Sequence, residues 1–222
     1  MAYIDLMSPI HKATNRDYLA RVNDPEYPKA RAAELAKQWG YDYWDGDRRI
    51  NYGGYKYIPG RWAPVAKMMI QHYALKAGSK VLDVGCGKGF QMFELTQVLP
   101  GLEVHGLDIS TYAIEHAHAD IKHLIRQGSA AQLPYADQEF DLVFSINTLH
   151  NLHNRDLDAA LRELERVGKQ KYVCVESYRN EIEKANLLYW QVTCEQFNSP
   201  DDWAWWFEST GYTGDHSYIF FE

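Results

Sequence analysis

The sequence contains 222 residues, of which 46% are hydrophobic, and its formal net charge is −7. A chain of this length and composition is expected to fold as one domain around a substantial core. The acidic balance argues against a surface for nucleic acid or for an anionic membrane, because phosphate binding needs a broad basic field.

Cysteine usage and the first residues of the chain indicate its compartment. Cys86, Cys174 and Cys194 show neither paired nor metal-type spacing, so we expect free thiols in a reducing environment and no metal site. The opening MAYIDLMSPIHKATNRD lacks a basic-then-apolar signal pattern, and no window approaches the length of a membrane span. We therefore predict a cytoplasmic protein. The sequence does not indicate its oligomeric state.

The first 62 residues differ in composition and periodicity from the rest of the chain. PEYPKARAAELAKQWG has proline at its start, alanine and leucine inside and glycine at its end, which predicts a helix. The loop DGDRRINYGGYKYIPGRW follows, and it combines arginine and tyrosine side chains around two glycines. We predict that residues 1–62 form an N-terminal helical and loop cap, or lid, on the rest of the chain.

From residue 63 onward, helical and strand patterns alternate. APVAKMMIQHYALKAG and RDLDAALRELERVG show helical periodicity, whereas KVLDVG, EVHGLDIS, FDLVFSIN and KYVCVE are short apolar runs typical of buried strands. Such alternation predicts a parallel α/β sheet with right-handed crossovers and helices on both faces. We assign residues 63–222 to this core, within a single compact domain.

The last part of the chain departs from simple alternation. SYRNEIEKANLLYWQVTCEQF is expected to form a long helix or a lid, which we place at about residues 178–199. SPDDWAWWFESTG predicts a capped helix. Its tryptophans are expected to pack into the core, and the alternative is that they line a binding face as part of the second lid. YTGDHSYIFFE is expected to close the fold as a tight pair of strands. A turn at Thr213–Asp215 would make the last strand antiparallel to the one before it.

The motif VLDVGCGKGF joins the first core strand to a helix. Gly85, Gly87 and Gly89 allow a sharp turn and the close approach of a ligand, and the helix directs its free N–H groups towards that ligand. The dinucleotide-binding fingerprint requires a glycine where Phe90 stands. Asp83 precedes the turn, and a carboxylate there suits a cationic or amine-bearing ligand.

A second acid, Asp108, ends the next strand. A carboxylate at this position can accept hydrogen bonds from both hydroxyls of a ribose. The segment GSAAQLPYADQEFD then precedes the fourth strand. The three motifs, in this order, resemble those of the class I S-adenosylmethionine-dependent methyltransferases, in the broad group that acts on small molecules. The resemblance covers roughly residues 80–176.

This resemblance implies a fold and a set of cofactor-binding residues. The family fold is a Rossmann-like sheet of seven strands, mostly parallel, with an antiparallel C-terminal strand. The cofactor would be S-adenosylmethionine, and its product S-adenosylhomocysteine. The residues implied to contact the methionine part are Asp83, Gly85, Cys86 and Gly87. Asp108 would contact the ribose, and the adenine would lie against Ile109, Ser129 and Ala130. Asn147 would lie close to both donor and substrate. Family members usually have an aspartate where this sequence has Ser129.

The acceptor side is predicted from residues that follow the fourth and fifth strands. His150 is the preferred base for an oxygen acceptor because imidazole titrates near neutral pH, and His153 is expected to contact the substrate. The alternative is that these histidines only cap or pack a helix. Glu176 and Tyr178 are further catalytic candidates, with a solvated loop as their alternative.

The arginine and tyrosine loop has two possible roles. As a lid, it would cover the cofactor with Tyr52, Tyr55 and Arg61 and present Arg48 and Arg49 to an anionic acceptor. As a simple surface loop, its arginines would pair with Asp42, Asp45 and Asp47.

We therefore predict an enzyme that transfers a methyl group from S-adenosylmethionine to a small polar, anionic metabolite. O-methylation is favoured, and N-methylation is possible. A catalytically silent module that binds or senses S-adenosylmethionine is the alternative, and an NAD-dependent oxidoreductase fits the motifs less well. The sequence does not identify the acceptor molecule or its reacting atom.

Overall fold

The computed structural model describes residues 1–11 and 17–222. Helices precede the sheet at α1 (Tyr18–Val22), α2 (Lys29–Ala36), α3 (Tyr41–Trp44) and α4 (Ala63–His72). The core then alternates through β1 (Lys80–Val84), α5 (Phe90–Val98), β2 (Glu103–Asp108), α6 (Thr111–Glu115), β3 (Ile125–Gln127), β4 (Phe140–Ile146), α7 (Asn154–Val167) and β5 (Gly168–Glu176). It ends with α8 (Glu181–Trp190), α9 (Pro200–Thr210) and β6 (Asp215–Ile219).

The described strands form one sheet in the order β3-β2-β1-β4-β5-β6. All five neighbouring pairs are parallel. The central strands are apolar on both faces because helices cover both sides of a parallel sheet, and residues such as Leu82, Phe144 and Val173 are fully buried. The prediction of a Rossmann-like, mostly parallel sheet is confirmed.

The strand register brings the carboxyl ends of the central strands to one edge of the sheet. Val84 of β1 is paired with Leu107 of β2, and Ile146 of β4 is paired with Cys174 of β5. The loops that follow β1, β2, β4 and β5 therefore lie together, which is where parallel α/β sheets bind their ligands.

Two details of the predicted sheet are wrong. The described residues form six strands rather than seven, and β6 is parallel to β5, with Tyr172 paired to Asp215. The cause is α9, which carries the chain back along the sheet and ends at Gly211, whose φ is 71°. A strand that follows such a crossover starts at the same end of the sheet as its predecessor. Residues 211–222 consequently supply one strand, not a tight pair.

The predicted capped helix is present as α9. Ser199 and Asp202 form a reciprocal capping box at its start, which satisfies backbone donors that the first turn leaves open. Trp203 and Phe207 are fully buried against the sheet, whereas Trp205 is 60% exposed. The tryptophan-rich segment thus contributes mainly core packing, as expected.

The start of the chain lies along the outer edge of β6. The N–H of Ile4 donates to the carbonyl of His216 at 2.9 Å, and the N–H of His216 donates to the carbonyl of Ala2 at 3.0 Å. Tyr3 and His216 therefore form a short parallel bridge beside the last strand.

The predicted N-terminal cap packs over the carboxyl edge of the sheet. Ala32, Ala36, Tyr43 and Trp44 form an apolar cluster that also includes Ala113 of α6 and Val192, which follows α8. The cap therefore contacts the segment predicted as the second lid. Of the predicted cap, residues 12–16 lie outside the described residues, and the boundaries at residues 62 and 178–199 remain predictions.

Among the helices of residues 1–11 and 17–222, none combines the length and the hydrophobicity that a membrane span requires.

Candidate functional site

The turn after β1 brings backbone and aromatic side chains into close contact. Gly85, Gly87 and Gly89 all have positive φ, at 81°, 54° and 72°. A Cβ atom on Gly87 would stand 2.7 Å from Cη2 of Trp44, and a Cβ on Gly85 would collide with the side chain of Thr148. Only glycine fits at these two positions, so the turn leaves its backbone open towards the edge of the sheet.

Two buried carboxyl groups lie beside this turn. Asp108 accepts hydrogen bonds from the N–H of Gly87 at 2.6 Å and from the N–H of Ser110 at 2.8 Å. Burial raises the pKa of Asp108 despite these backbone donors. Burial and the neighbouring Asp108 raise the pKa of Asp83 well above its usual range. A cationic ligand would stabilise both carboxylates.

Three aromatic side chains from the cap cover the glycine turn, and we call Trp44, Tyr52 and Tyr55 the aromatic roof. The rings of Trp44 and Tyr52 are stacked with centroids 5.6 Å apart, and those of Tyr52 and Tyr55 lie 4.7 Å apart. The indole N–H of Trp44 donates to Oγ of Ser110 at 3.0 Å. The roof is therefore attached to the loop that follows Asp108.

An ion pair between a buried lysine and a half-buried aspartate joins the cap to the glycine motif. Nζ of Lys88 lies 2.8 Å and 2.7 Å from the two carboxylate oxygens of Asp45, and it also donates to the carbonyl of Tyr55 at 2.9 Å. The hydroxyl of Tyr112 donates to the same carboxylate at 2.9 Å. Burial alone would raise the pKa of Asp45, but the hydrogen bonds from Lys88 and Tyr112 bring it below its usual value.

A second buried polar group lies at the ends of β4 and β5. His150 is 2% exposed and Glu176 is 6% exposed. Nε2 of His150 lies 3.5 Å from Oε2 of Glu176, and Nδ1 of His150 accepts from the N–H of Glu176 at 3.4 Å. The side-chain amide of Gln191 donates to Oε1 of Glu176. Burial lowers the pKa of His150 to about 3 and raises that of Glu176 to about 8.

Asn147 follows β4 in a strained conformation. Its φ is 56°, and its N–H donates to the carbonyl of Cys174 at 2.9 Å. Its Oδ1 is buried without a hydrogen-bond partner in the described part of the chain. Strained backbone and unpaired buried acceptors are concentrated at functional sites, where a ligand supplies the missing donor.

Comparison with known protein families matches the same part of the chain. The family described as "Methyltransferase domain" matches residues 75–211, which extend from before β1 to the end of α9. The chain belongs to this methyltransferase family. Membership argues against the NAD-dependent oxidoreductase alternative, and the family implies S-adenosylmethionine as the methyl donor.

Curated relatives are identical to this chain at about a third of the aligned positions. It is 32% identical over 127 residues to an uncharacterised methyltransferase of Synechocystis, covering 56% of this chain and 57% of that protein. It is 35% identical over 118 residues to the demethylmenaquinone methyltransferase of Staphylococcus carnosus, covering 50% and 48%. The chain therefore spans about half the length of these relatives.

Solved structures confirm the fold of this chain. YcgJ of Bacillus subtilis superposes with a TM-score of 0.54 at 22% identity, covering 65% of this chain and 66% of YcgJ. A putative methyltransferase of Bacillus halodurans gives 0.55 at 22% identity, covering 66% and 68%. The [4+2]-cyclase SpnF gives 0.54 at 19% identity, covering 76% and 61%. Likeness at this identity concerns the fold alone.

The structure brings many of the predicted donor-site residues together. Asp83, Gly85, Gly87 and Asp108 surround the turn, with Tyr52 and Tyr55 above it. Cys86 lies half-buried in the turn, and burial raises the pKa of its thiol. Further along the same edge, Ile109 is 53% exposed and Ala130 is buried. Oγ of the exposed Ser129 accepts from the N–H of Ala131 at 3.2 Å.

The predicted arginines have different surroundings. Arg49 is paired with Asp47 at 2.6 Å and with Glu26 at 2.8 Å, so its guanidinium is engaged at the surface. Arg48 donates to the carbonyl of Asn51 at 2.6 Å and lies over the ring of Trp190 at 5.9 Å.

Arg61 is exposed but close enough to Tyr55 to affect it. Burial raises the pKa of the Tyr55 hydroxyl, and the charge of Arg61 opposes this effect. His153 and Tyr178 contact charged side chains other than Glu176. His153 is exposed, 3.5 Å from Glu195, and the ring of Tyr178 lies 5.1 Å below Nζ of Lys184.

Sequence reasoning missed three residues of the site: Trp44, Asp45 and Lys88. Lys88 stands inside the glycine motif, and a lysine that becomes buried needs an acid partner. The sequence could therefore have indicated that Lys88 has an acidic partner. It could not have identified that partner as Asp45, which lies 43 positions earlier. Within residues 1–11 and 17–222, no group of three or more histidine, cysteine and acidic side chains is arranged to hold a metal ion.

Proposed function

We propose that this chain transfers a methyl group from S-adenosylmethionine to a small polar, anionic acceptor and releases S-adenosylhomocysteine. The observation that carries the proposal is the pair of buried acids, Asp83 and Asp108, beside a glycine turn that has no room for side chains. Such a site favours a ligand that is cationic, carries ribose hydroxyls and approaches the backbone closely.

The donor-site residues fit the chemical groups of S-adenosylmethionine. Asp108 would accept from the ribose hydroxyls, and Asp83 would compensate the positive charge of the methionine part. The unpaired Oδ1 of Asn147 would accept from the same ligand. The aromatic roof presents ring faces, which attract a cation by cation–π interaction. Ile109 and Ala130 would contact the adenine, and Ser129 would reach its edge.

S-adenosylmethionine supplies a methyl group bonded to a positively charged sulfur, which is an excellent leaving group. The protein's part is therefore to align the acceptor and to exclude water. The aromatic roof and the Lys88–Asp45 ion pair serve the second task by holding the cap over the glycine turn. We assign residues 1–62 and about 178–199 the role of lids on this basis.

The proposal that the acceptor is anionic rests on arginine side chains of the cap. Arg48 lies beside Trp190, near the contact between the two lids, and Arg61 lies near Tyr55. Arginine offers paired donors to a carboxylate or phosphate. Arg49 would have to leave Asp47 and Glu26 to take part. We do not extend the acceptor of the demethylmenaquinone methyltransferase to this chain, because the match covers only 48% of that protein.

The donor part of the proposal is tested by binding. Isothermal titration with S-adenosylmethionine, S-adenosylhomocysteine and NAD⁺ should show binding of the first two ligands only. Asp108→Asn should weaken that binding, whereas Asp156→Asn, which changes an exposed carboxylate on α7, should leave it unchanged. Binding of NAD⁺ alone would overturn the proposal.

The transfer step is tested by product analysis. The protein is incubated with S-adenosylmethionine tritiated in its methyl group and a mixture of phosphorylated and carboxylated alcohols and amines. A labelled small-molecule product is expected. Donor binding without any labelled product, across a broad set of acceptors, would identify a binding or sensing module instead of an enzyme.

A further inference from the structure

The carboxyl group of Glu176 has one oxygen that is hydrogen-bonded and one that is not. Gln191 donates to Oε1, and Oε2 is buried without a hydrogen-bond partner among the described residues. An unpaired buried oxygen costs free energy, so a carboxyl group in this state is typical of a site that awaits a donor.

The hydrogen bonds of His150 make it a poor proton acceptor. Nδ1 faces the backbone N–H of Glu176 at 3.4 Å and must therefore carry a lone pair. In a neutral imidazole the proton then resides on Nε2, which faces Oε2 of Glu176 at 3.5 Å. The lone pair of His150 is occupied, and its N–H faces Oε2 of Glu176 at 3.5 Å, which is longer than a normal hydrogen bond, so Oε2 can still accept one from a ligand.

Glu176 lies at the same edge of the sheet as the glycine turn. It ends β5, whose neighbour β4 leads into Asn147 and Thr148. Oγ1 of Thr148 donates to the carbonyl of Gly85 at 3.3 Å, which connects the two loops. The hydroxyl groups of Tyr43 and Tyr52 lie close enough to both Asp108 and Glu176 for both carboxyl groups to influence their pKa values.

The groups that surround Glu176 come from several elements. The titratable side chains that face it are His150 after β4, Tyr43 of α3, Tyr52 of the aromatic roof, Cys174 of β5 and Cys194 after α8. Cys174 and Cys194 have thiol pKa values that burial raises, so both remain protonated near neutral pH.

We propose that Glu176 is the catalytic residue that takes the proton from the methyl acceptor, and that His150 is a positioning residue that holds its carboxylate. This inference rests on the proposed function and names the proton acceptor of that reaction. The acceptor's O–H or N–H would donate to Oε2. The lone pair of that oxygen or nitrogen forms the bond to the methyl carbon, the carbon–sulfur bond breaks with its electron pair going to sulfur, and the proton moves to Glu176.

The burial of the two groups favours this division of roles. At neutral pH His150 stays uncharged, since burial lowers its pKa to about 3. Burial raises the pKa of Glu176 to about 8, close to the pH at which enzymes work, where proton transfer is most effective. Since only the ionised carboxylate accepts a proton, the transfer rate should increase as the pH rises towards 8.

Access to Oε2 requires movement of the segment that holds it. Gln191 follows α8, and Glu195 and Gln196, a few residues further on, donate their N–H groups to the carbonyl of His150 at 2.9 Å. This segment covers the pair, so the acceptor reaches Glu176 when the segment opens. The segment belongs to the lid proposed at about residues 178–199.

The first test compares Glu176→Gln with the wild type. Glutamine keeps the shape and an oxygen for Gln191, but it does not accept a proton. We expect unchanged affinity for S-adenosylhomocysteine by calorimetry and a roughly 100- to 10,000-fold slower labelling of the acceptor mixture described above. Glu208→Gln, at an exposed position of α9 outside the proposed lids, is the control and should match the wild type. Labelling by Glu176→Gln at the wild-type rate would overturn the proposal.

The second test does not depend on an acceptor. Protein containing ¹³C-carboxyl glutamate and ¹⁵N-histidine is titrated by NMR in the complex with S-adenosylhomocysteine, and Glu176→Gln assigns the resonance. We expect the Glu176 carboxyl to titrate near pH 8 and His150 to stay neutral, with its proton on Nε2, from pH 5 to 9. A carboxyl group that titrates near its ordinary value of 4.5 would contradict the proposal.

The positioning role of His150 has its own measurement. His150→Leu removes the N–H that faces the carboxylate, so the titration of Glu176 should move to higher pH. A merely structural role of His150 would lower stability and leave that midpoint in place. If S-adenosylhomocysteine does not bind to the wild type, the proposed function fails, while the titration of the free protein still reports on Glu176.

Discussion

The ring of Trp44 occupies the space into which a side chain on Gly87 would extend, since Cη2 of Trp44 lies 2.7 Å from the position of a Gly87 Cβ. The cap and the glycine turn are therefore fitted to each other, and the cap can close only because this residue has no side chain. The fit couples the start of the chain to the donor site.

Gly87→Ala should affect both donor binding and stability. The added methyl group displaces Trp44, and the φ of 54° becomes unfavourable by about 1–2 kcal/mol. We expect affinity for S-adenosylhomocysteine to fall at least tenfold, about 1.4 kcal/mol, as measured by calorimetry. Gly78→Ala is the matched control, because Gly78 also has a positive φ of 83° but no atom within 4 Å of its added Cβ. Gly78→Ala should lower the free energy of unfolding and leave the affinity for S-adenosylhomocysteine unchanged.

Lys88→Met should loosen the cap. Methionine keeps the apolar stem but leaves Asp45 and the carbonyl of Tyr55 without their buried donor, at a cost of about 1–3 kcal/mol. We expect faster proteolysis within residues 45–62 and roughly tenfold weaker binding of S-adenosylhomocysteine. Lys56→Met changes an exposed lysine of the same loop and should behave like the wild type. Equal protease resistance of all three proteins would show that the ion pair does not hold the cap.

Stability should respond to pH through His150 and Glu176 in opposite directions. The pKa of Glu176 is raised from 4.5 to about 8 in the folded protein. The contribution of Glu176 to the free energy of unfolding therefore falls as the pH rises from 4.5 to 8. The pKa of His150 is lowered from 6.5 to about 3. The contribution of His150 to the free energy of unfolding therefore falls as the pH falls below 6.5. Between pH 6.5 and 8 the Glu176 effect should dominate.

This pH dependence is measured by urea denaturation of the wild type and Glu176→Gln. The wild type should lose free energy of unfolding from pH 6.5 to 8, and the variant should show a flatter profile in the same interval. Parallel profiles of the two proteins would mean that Glu176 is ionised throughout.

Ser199→Ala should destabilise the protein without affecting the donor site. It removes the side chain that caps α9, and such changes cost about 1 kcal/mol. Thermal unfolding should detect the loss, and affinity for S-adenosylhomocysteine should stay constant. Ser209→Ala, at an exposed serine near the end of the same helix, should have a smaller effect on stability. Equal effects of the two changes would indicate that the cap is not the cause.

That the residues of the proposed donor site lie together could be predicted because their contacts are local. Asp83, Gly85 and Gly87 belong to one short motif, and Asp108 ends the strand that pairs with β1. The glycines are required by backbone conformation, which depends on the residue itself and on its immediate neighbours. Helices and strands from residue 63 to 176 were predictable for a similar reason, since their periodicity is a local property.

The remaining features depend on which distant residues meet. Lys88 and Asp45 are 43 positions apart, and nothing local distinguishes Asp45 from Asp42 or Asp47 as the partner. Arg49 illustrates the same difficulty, because its pairing with Glu26 requires the cap to fold back on itself. The predicted direction of β6 was wrong because Thr213–Asp215 was interpreted as a hairpin turn, whereas α9 had already returned the chain to the start of the sheet.

The two backbone hydrogen bonds between residues 2–4 and His216 leave the protein exposed to self-association. A bond from the N–H of Ala2 to Oδ1 of Asp215 and ring contacts of Tyr3 add to them, but so short a segment at the sheet edge still opens more easily than the whole molecule unfolds. Each opening uncovers unpaired N–H and C=O groups along β6, which can then pair with the edge of another molecule. Aggregation under mild conditions should therefore begin at this edge, and it should increase when Ile4 is replaced by proline, which cannot donate to His216.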